Sequence, residues 1–78
     1  PQTPTEKKIA EIWSDLLGIE KIGVNDNFFD LGGHSLLALK LVARLRSHFN
    51  MEIPLRHIFE YPAVKSLSAE IERLRQDK

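Results

Sequence analysis

The run from Asn25 to Leu41 holds the side chains that could do chemistry: Asp26, Asp30, His34 and Ser35, with Gly32 and Gly33 just ahead of the last two. A serine beside a histidine invites the reading of an activated nucleophile, but the spacing is against it. A hydrolase elbow needs glycine two residues after the serine, and that position is Leu37. Adjacency in sequence does not orient His34 as a general base, and no third partner is evident. Asp26 and Asp30 lack the glycine and closing glutamate of a calcium loop. His34, His48 and His57 show no metal-ligand spacing, and the chain has no cysteine. What remains is the Ser35 hydroxyl where a loop turns into a leucine-rich helix. Unpartnered N–H groups and a partial positive charge gather there and favour an anion by about 0.3–1 kcal/mol. Ser35 is thus placed to carry a phosphate ester, or simply to cap the helix, as most serines at such junctions do. No catalysis by this chain alone is expected.

Four helices must position that serine. Thr3-Pro-Thr-Glu6 is a capping box with proline at the first helical position. Behind it Ile9, Ile12, Trp13, Leu16 and Leu17 recur at helical spacing, so an amphipathic helix is predicted over about 4–17, with Gly18 as its C-cap and Trp13 in the core. Residues 18–34 form a long connection whose Ile19, Ile22, Val24, Phe28, Phe29 and Leu31 predict that it packs down on the bundle. Within it Asn25, Asp26 and Asn27 suit a single turn through Phe28-Phe29-Asp30, and Gly32 and Gly33 supply permissive backbone.

The second helix is predicted over about 35–49. Ala38, Leu41, Val42, Leu45 and Phe49 make one stripe, with Leu37 at its edge. Leu36 and Ala43 fall on the other side with Leu39 flanking them, either as the scattered exposed apolar residues that are normal on a surface or as a docking surface beside Ser35. Lys40, Arg44 and Arg46 make that exposed side basic. Pro54 opens a short third helix with Leu55, Ile58 and Phe59 turned inward, and Tyr61-Pro62 stops it. A last helix runs from about Val64 to Arg75 on the stripe Val64, Leu67, Ile71 and Leu74, without a good N-cap. His48 and His57 read as surface or boundary residues. The fold class is all-α: a four-helix bundle of three long helices and one short one, with a long first loop.

At 78 residues the chain reads as one domain, with residues 1–3 and 76–78 as linker stubs, either free-standing or cut from a longer chain. A core of this size rarely supplies more than roughly 3–5 kcal/mol, and no disulfide can help. Eleven Lys and Arg balance eleven Asp and Glu, which argues against a dedicated binder of nucleic acid or anionic membrane. No apolar run reaches membrane-spanning length and no signal peptide opens the chain. The absence of cysteine suits a reducing compartment, and a cytoplasmic monomer is expected.

The stretch Asp26-Asn-Phe-Phe-Asp-Leu-Gly-Gly-His-Ser35-Leu-Leu resembles the core motif of peptidyl carrier (thiolation) domains of non-ribosomal peptide synthetases. Ile53-Pro-Leu-Arg-His-Ile-Phe-Glu-Tyr-Pro62 resembles the same family's short third helix and the turn after it. Acyl carrier proteins of fatty acid synthesis usually show an acidic helix and an Asp-Ser-Leu motif here, and this sequence departs from them on both counts. The resemblance implies that Ser35 carries a 4′-phosphopantetheine arm, with Gly33 and His34 as cofactor-binding neighbours. A separate phosphopantetheinyl transferase would attach the arm from coenzyme A with magnesium. An adenylation domain would load it, and condensation or thioesterase domains would take the thioester. This is group-carrier logic: the cofactor holds the reactive atom and the protein presents it. Leu36, Leu39 and Ala43, with Ile58 or Phe59, would centre the docking face, and binding there would be weak and transient. Two other readings stand beside it. One is an acyl carrier for polyketide or D-alanyl transfer. The more distant one is a small helical interaction or DNA-binding domain in which Ser35 only caps.

Overall fold

The computed structural model describes residues 3–76. Its helices are α1 (Pro4–Leu17), α2 (Ser35–Phe49), α3 (Arg56–Glu60) and α4 (Val64–Gln76). No strand occurs among the described residues; one isolated antiparallel bridge pairs Asn27 with Ala63. The all-α, three-long-and-one-short architecture read from the sequence is therefore the observed one.

The capping box forms in full. The Glu6 N–H donates to Thr3 Oγ1 at 3.1 Å, and the Thr3 N–H donates to Glu6 Oε1 at 3.4 Å. At the other end Gly18 turns left-handed with φ +70, and its N–H donates to the Ser14 carbonyl. That conformation costs an L side chain strain and glycine none. Thr3 thus caps α1, and Gln76 is the last residue of α4. The rest of the expected stubs, residues 1, 2, 77 and 78, lie outside the described residues.

Packing follows the apolar stripes. α1 lies against both α2 and α4. Ile9, Ile12 and Trp13 of α1 meet Ala38, Leu41, Val42 and Leu45 of α2 and Val64, Leu67 and Ile71 of α4 in one buried cluster. The buried Thr5 hydroxyl donates to Glu72, tying α1 to α4 at their polar edge. Trp13 is core, as its place in the stripe predicts, yet its indole N–H finds no acceptor among the described residues.

The first loop packs as its apolar residues require. Ile22 and Phe28 are buried, and Ile19, Val24, Phe29 and Leu31 are partly so. Asp26 Oδ2 accepts from the Gly23 N–H, and Asn27 Oδ1 accepts from the N–H groups of Phe29 and Asp30. The Leu31 N–H then reaches the Asn27 carbonyl at 3.1 Å, closing the single turn expected there. Two backbone bonds stitch this loop to the connection before α4 and to the first turn of α4. The Phe28 N–H donates to the Pro62 carbonyl, and the Lys65 N–H donates to the Val24 carbonyl at 2.9 Å.

Around α3 the structure corrects three expectations. Pro54 does not open the helix; its carbonyl accepts from the His57 N–H in a turn, and regular helix starts at Arg56. Phe59 does not turn inward: Ile58 takes the core position, and the Phe59 ring stacks on Phe29 with about half its surface exposed, 49%. His57 is not a surface residue, because it lies under α4 and is buried.

Candidate functional site

Ser35 is the first residue of α2, not its cap. His34 occupies the N-cap position with extended backbone, φ −149 and ψ 179, and no side chain caps this end. The Ser35 hydroxyl enters no hydrogen bond among the described residues. His34, Ser35 and Leu36 are all exposed. A hydroxyl in this position is held over the uncapped first turn, where an attached anion would meet unpartnered N–H groups. The capping role that serine type and position suggest is not the one it plays.

The approach to Ser35 is fixed from below. Gly32 has φ +108, a region that favours glycine. The Gly33 N–H donates to the Phe28 carbonyl at 3.0 Å. A Cβ on Gly33 would stand 2.5 Å from the Phe28 ring and 2.7 Å from its carbonyl oxygen. Phe28 in turn meets Trp13 edge to face at 5.1 Å. The serine is thus set on a line of rigid contacts running from the core of α1 through Phe28 to the glycine pair.

An apolar surface adjoins it on the same helix. Leu36 is 57% exposed and Leu39 52%, and Ala43 is exposed as well. From α3 comes Phe59, 49% exposed, whose ring stacks on Phe29 at 5.2 Å and 10°. Ile58, named with these residues from the sequence, has no accessible surface and cannot meet a partner. The basic side of α2 is partly tied up. Arg44 pairs with Asp15 of α1 at 3.1 Å, while Arg46 donates to the Ile53 carbonyl at 3.0 Å and lies 3.8 Å from Glu52. Such exposed pairs contribute at most about 1 kcal/mol each. Their effect here is to leave Lys40 as the cation on this helix that no side chain among the described residues engages.

Sequence reasoning missed one cluster. Glu70 of α4 is buried, and Arg73 grips its carboxylate with two hydrogen bonds, Nε to Oε1 at 2.9 Å and Nη2 to Oε2 at 2.7 Å. His57 Nε2 of α3 lies 3.5 Å from the same Oε2. Arg73 hydrogen bonding holds the Glu70 carboxyl below its ordinary value; burial opposes this, and the charges of Arg73, His57 and Arg56 add to the lowering. A signal was present. Glu70 stands three residues after Leu67 and four before Leu74, so it sits at the edge of the very stripe that α4 buries.

Among the described residues no group of three or more His, Cys, Asp or Glu could hold a metal ion, and no helix is long and apolar enough to cross a membrane.

These features define a small helical carrier that presents one serine at a helix start beside an apolar face. Residues 7–71 match the family described as phosphopantetheine attachment site, and the chain belongs to that family, on its peptidyl carrier branch. It is 51% identical over 76 residues to a very long component of the linear gramicidin synthase of Brevibacillus parabrevis, a match that covers 97% of this chain and 1% of that protein. The chain therefore spans a very small part of the synthases it matches. A solved complex of the phosphopantetheine transferase Sfp with coenzyme A and a peptidyl carrier protein holds a similar chain. The two are 38% identical with a TM-score of 0.90, over 94% of this chain and 95% of that one. The four-domain nonribosomal peptide synthetase AB3403, solved bound to AMP and glycine, matches with 36% identity and a TM-score of 0.92, over 94% of this chain and 6% of that one. The resemblance read from Asp26–Leu37 and Ile53–Pro62 is borne out along the matched length.

Proposed function

We propose that residues 1–78 form one carrier domain, with Ser35 the attachment point for 4′-phosphopantetheine, and that the domain presents aminoacyl or peptidyl groups to partner enzymes in non-ribosomal peptide synthesis. The observation that carries this reading is the Ser35 hydroxyl: exposed, without an internal hydrogen bond, on the uncapped first turn of α2. A phosphodiester there would keep one negative charge at the positive end of the helix. In the attachment step the Ser35 oxygen bonds to the phosphorus that bears the pantetheine of coenzyme A. The bond to the adenosine bisphosphate breaks, and the hydroxyl proton passes to a base on the transferase. The attached arm supplies a terminal thiol that can hold a carboxyl group as a thioester.

The chain's own residues would present and dock. Gly32 and Gly33 hold the loop low beside the hydroxyl, His34 stands exposed next to it, and Leu36, Leu39, Ala43 and Phe59 offer the apolar surface that a partner covers. Partners of this reading are a phosphopantetheinyl transferase and adenylation, condensation and thioesterase domains. The likeness to gramicidin synthase and to the carrier in the Sfp complex supports it. The bond-making groups would belong to those partners, which makes this chain a non-catalytic part of a cytoplasmic synthetase.

The test is intact mass after incubation with coenzyme A and Sfp, for the wild type and for Ser35→Ala. The expected result is gain of one phosphopantetheine by the wild type only, with both proteins showing the same helical circular dichroism. A folded wild type that stays unmodified, while the enzyme modifies a control carrier, would overturn the proposal.

A further inference from the structure

The cluster joining α3 to α4 has no place in the attachment site, yet its construction is specific. Glu70 is 6% exposed and His57 8%. A buried carboxylate is costly unless it is paired and hydrogen-bonded, and Arg73 provides that pairing from the same helix. Arg73 alone would serve if Glu70 were only a tolerated charge. Instead the oxygen that accepts from Arg73 Nη2 also faces His57 Nε2 across the helix boundary. Buried ionic contacts are weak evidence for stability, and their best-attested use is to fix register.

α3 needs such a device. With five residues it is too short to hold itself together. Its N-cap, Leu55, has no side-chain cap bond. Three successive side chains help to fix it: His57 against Glu70, Ile58 in the core, and Phe59 stacked on Phe29. The first and third bracket the second, so the rotation of α3 about Ile58 is set by Glu70 on one side and by Phe29 on the other.

We propose that Glu70 is a positioning residue for docking: fixed by Arg73, it holds His57 and thereby sets the orientation in which α3 presents Phe59 to a partner. This rests on the carrier reading above. It predicts that stability and docking can be separated, because an apolar replacement of the pair can keep the fold while losing the register.

The variants are H57L/E70M, which replaces both partners by apolar side chains of similar size, and E70Q, which keeps the shape and an acceptor facing His57. The probe is Sfp with coenzyme A, following KM and kcat for the carrier, together with melting temperature and amide exchange. H57L/E70M is expected to melt no lower than the wild type and to raise KM about fivefold or more with kcat within about twofold, the pattern of lost uniform binding. Its α3 amides, Ile58 and Tyr61, should exchange faster while those of α1 and α2 stay protected. E70Q should restore KM to within about twofold of the wild type. A wild-type KM in H57L/E70M would overturn the proposal. So would a loss of protection shared by all helices, which would mark the pair as packing only. If the wild type itself gains no arm, the carrier reading fails and the docking role with it, and wild-type exchange of α3 in H57L/E70M would then dismiss the tether separately.

Discussion

Gly33 and Phe28 approach so closely that the smallest side chain at position 33 would enter the ring, since a Cβ there lies 2.5 Å from two ring carbons. Neither neighbour can move aside. Phe28 is fully buried against Trp13, and its carbonyl already accepts the Gly33 N–H. Gly33→Ala is therefore expected to lower stability by about 1–3 kcal/mol, the usual range for overpacking. The loss should appear in chemical denaturation as a lower midpoint at unchanged slope. Arm attachment at a temperature where the variant is still folded should slow as well, because the loop carrying Ser35 must shift.

Leu36 and Leu39 behave in the opposite way. Both are more than half exposed on α2 and contribute little to the core. Leu36→Glu should change stability by no more than about 0.5 kcal/mol, as is usual for surface positions, and its charge sits favourably at the helix start. Transfer of the arm by Sfp should nonetheless slow through a higher KM. A fall in melting temperature as large as that of a core variant would place Leu36 in the interior and remove it from the docking face.

Ile58 and Phe59 are neighbours with opposed fates. Ile58→Ala deletes a fully buried side chain and should cost about 2–5 kcal/mol. Phe59→Ala removes a half-exposed ring whose contact is the stack on Phe29, and should cost about 1 kcal/mol, the worth of one aromatic pair. Denaturation midpoints of the two variants decide this, and equal losses would contradict the burial difference.

Glu70 gives the fold a defined acid response. Its folded-state value lies below the ordinary 4.5, chiefly through the Arg73 hydrogen bonds. Its contribution to stability is thus fully present above pH 4.5 and is lost as pH falls through the lower folded-state value. Stability of the wild type should decline over that acid window, and the decline should be shallower in E70Q, which carries no titrating group there. Parallel acid profiles for the two proteins would show that Glu70 is not held ionised by its partners.

The ends of α1 and α2 are legible in the sequence. They follow from Thr3, Glu6, Gly18 and the spacing of their apolar residues, all of which act within a few positions along the chain. Ser35 stands out in its motif, but its physical setting does not, since a serine at a junction looks like a cap until His34 is seen in that place. The His57–Glu70 contact joins residues thirteen positions apart on different helices, and no local rule reports such a pairing. The inward expectation for Phe59 fails for a related reason. On a five-residue helix the periodicity is too brief to tell Ile58 from its neighbour, and the ring of Phe29 that receives Phe59 comes from the distant first loop.

The bonds from Phe28 to Pro62 and from Val24 to Lys65 have a consequence for the timing of synthesis. The loop that presents Ser35 is braced by residues translated about thirty positions after it. Chains emerge from the ribosome N-terminus first, and contacts between distant residues wait for both ends. A growing chain that already displays the serine therefore lacks these two bonds until the start of α4 has left the exit tunnel. Enzymes that read the shape of the loop would find it fully braced only once α4 has begun.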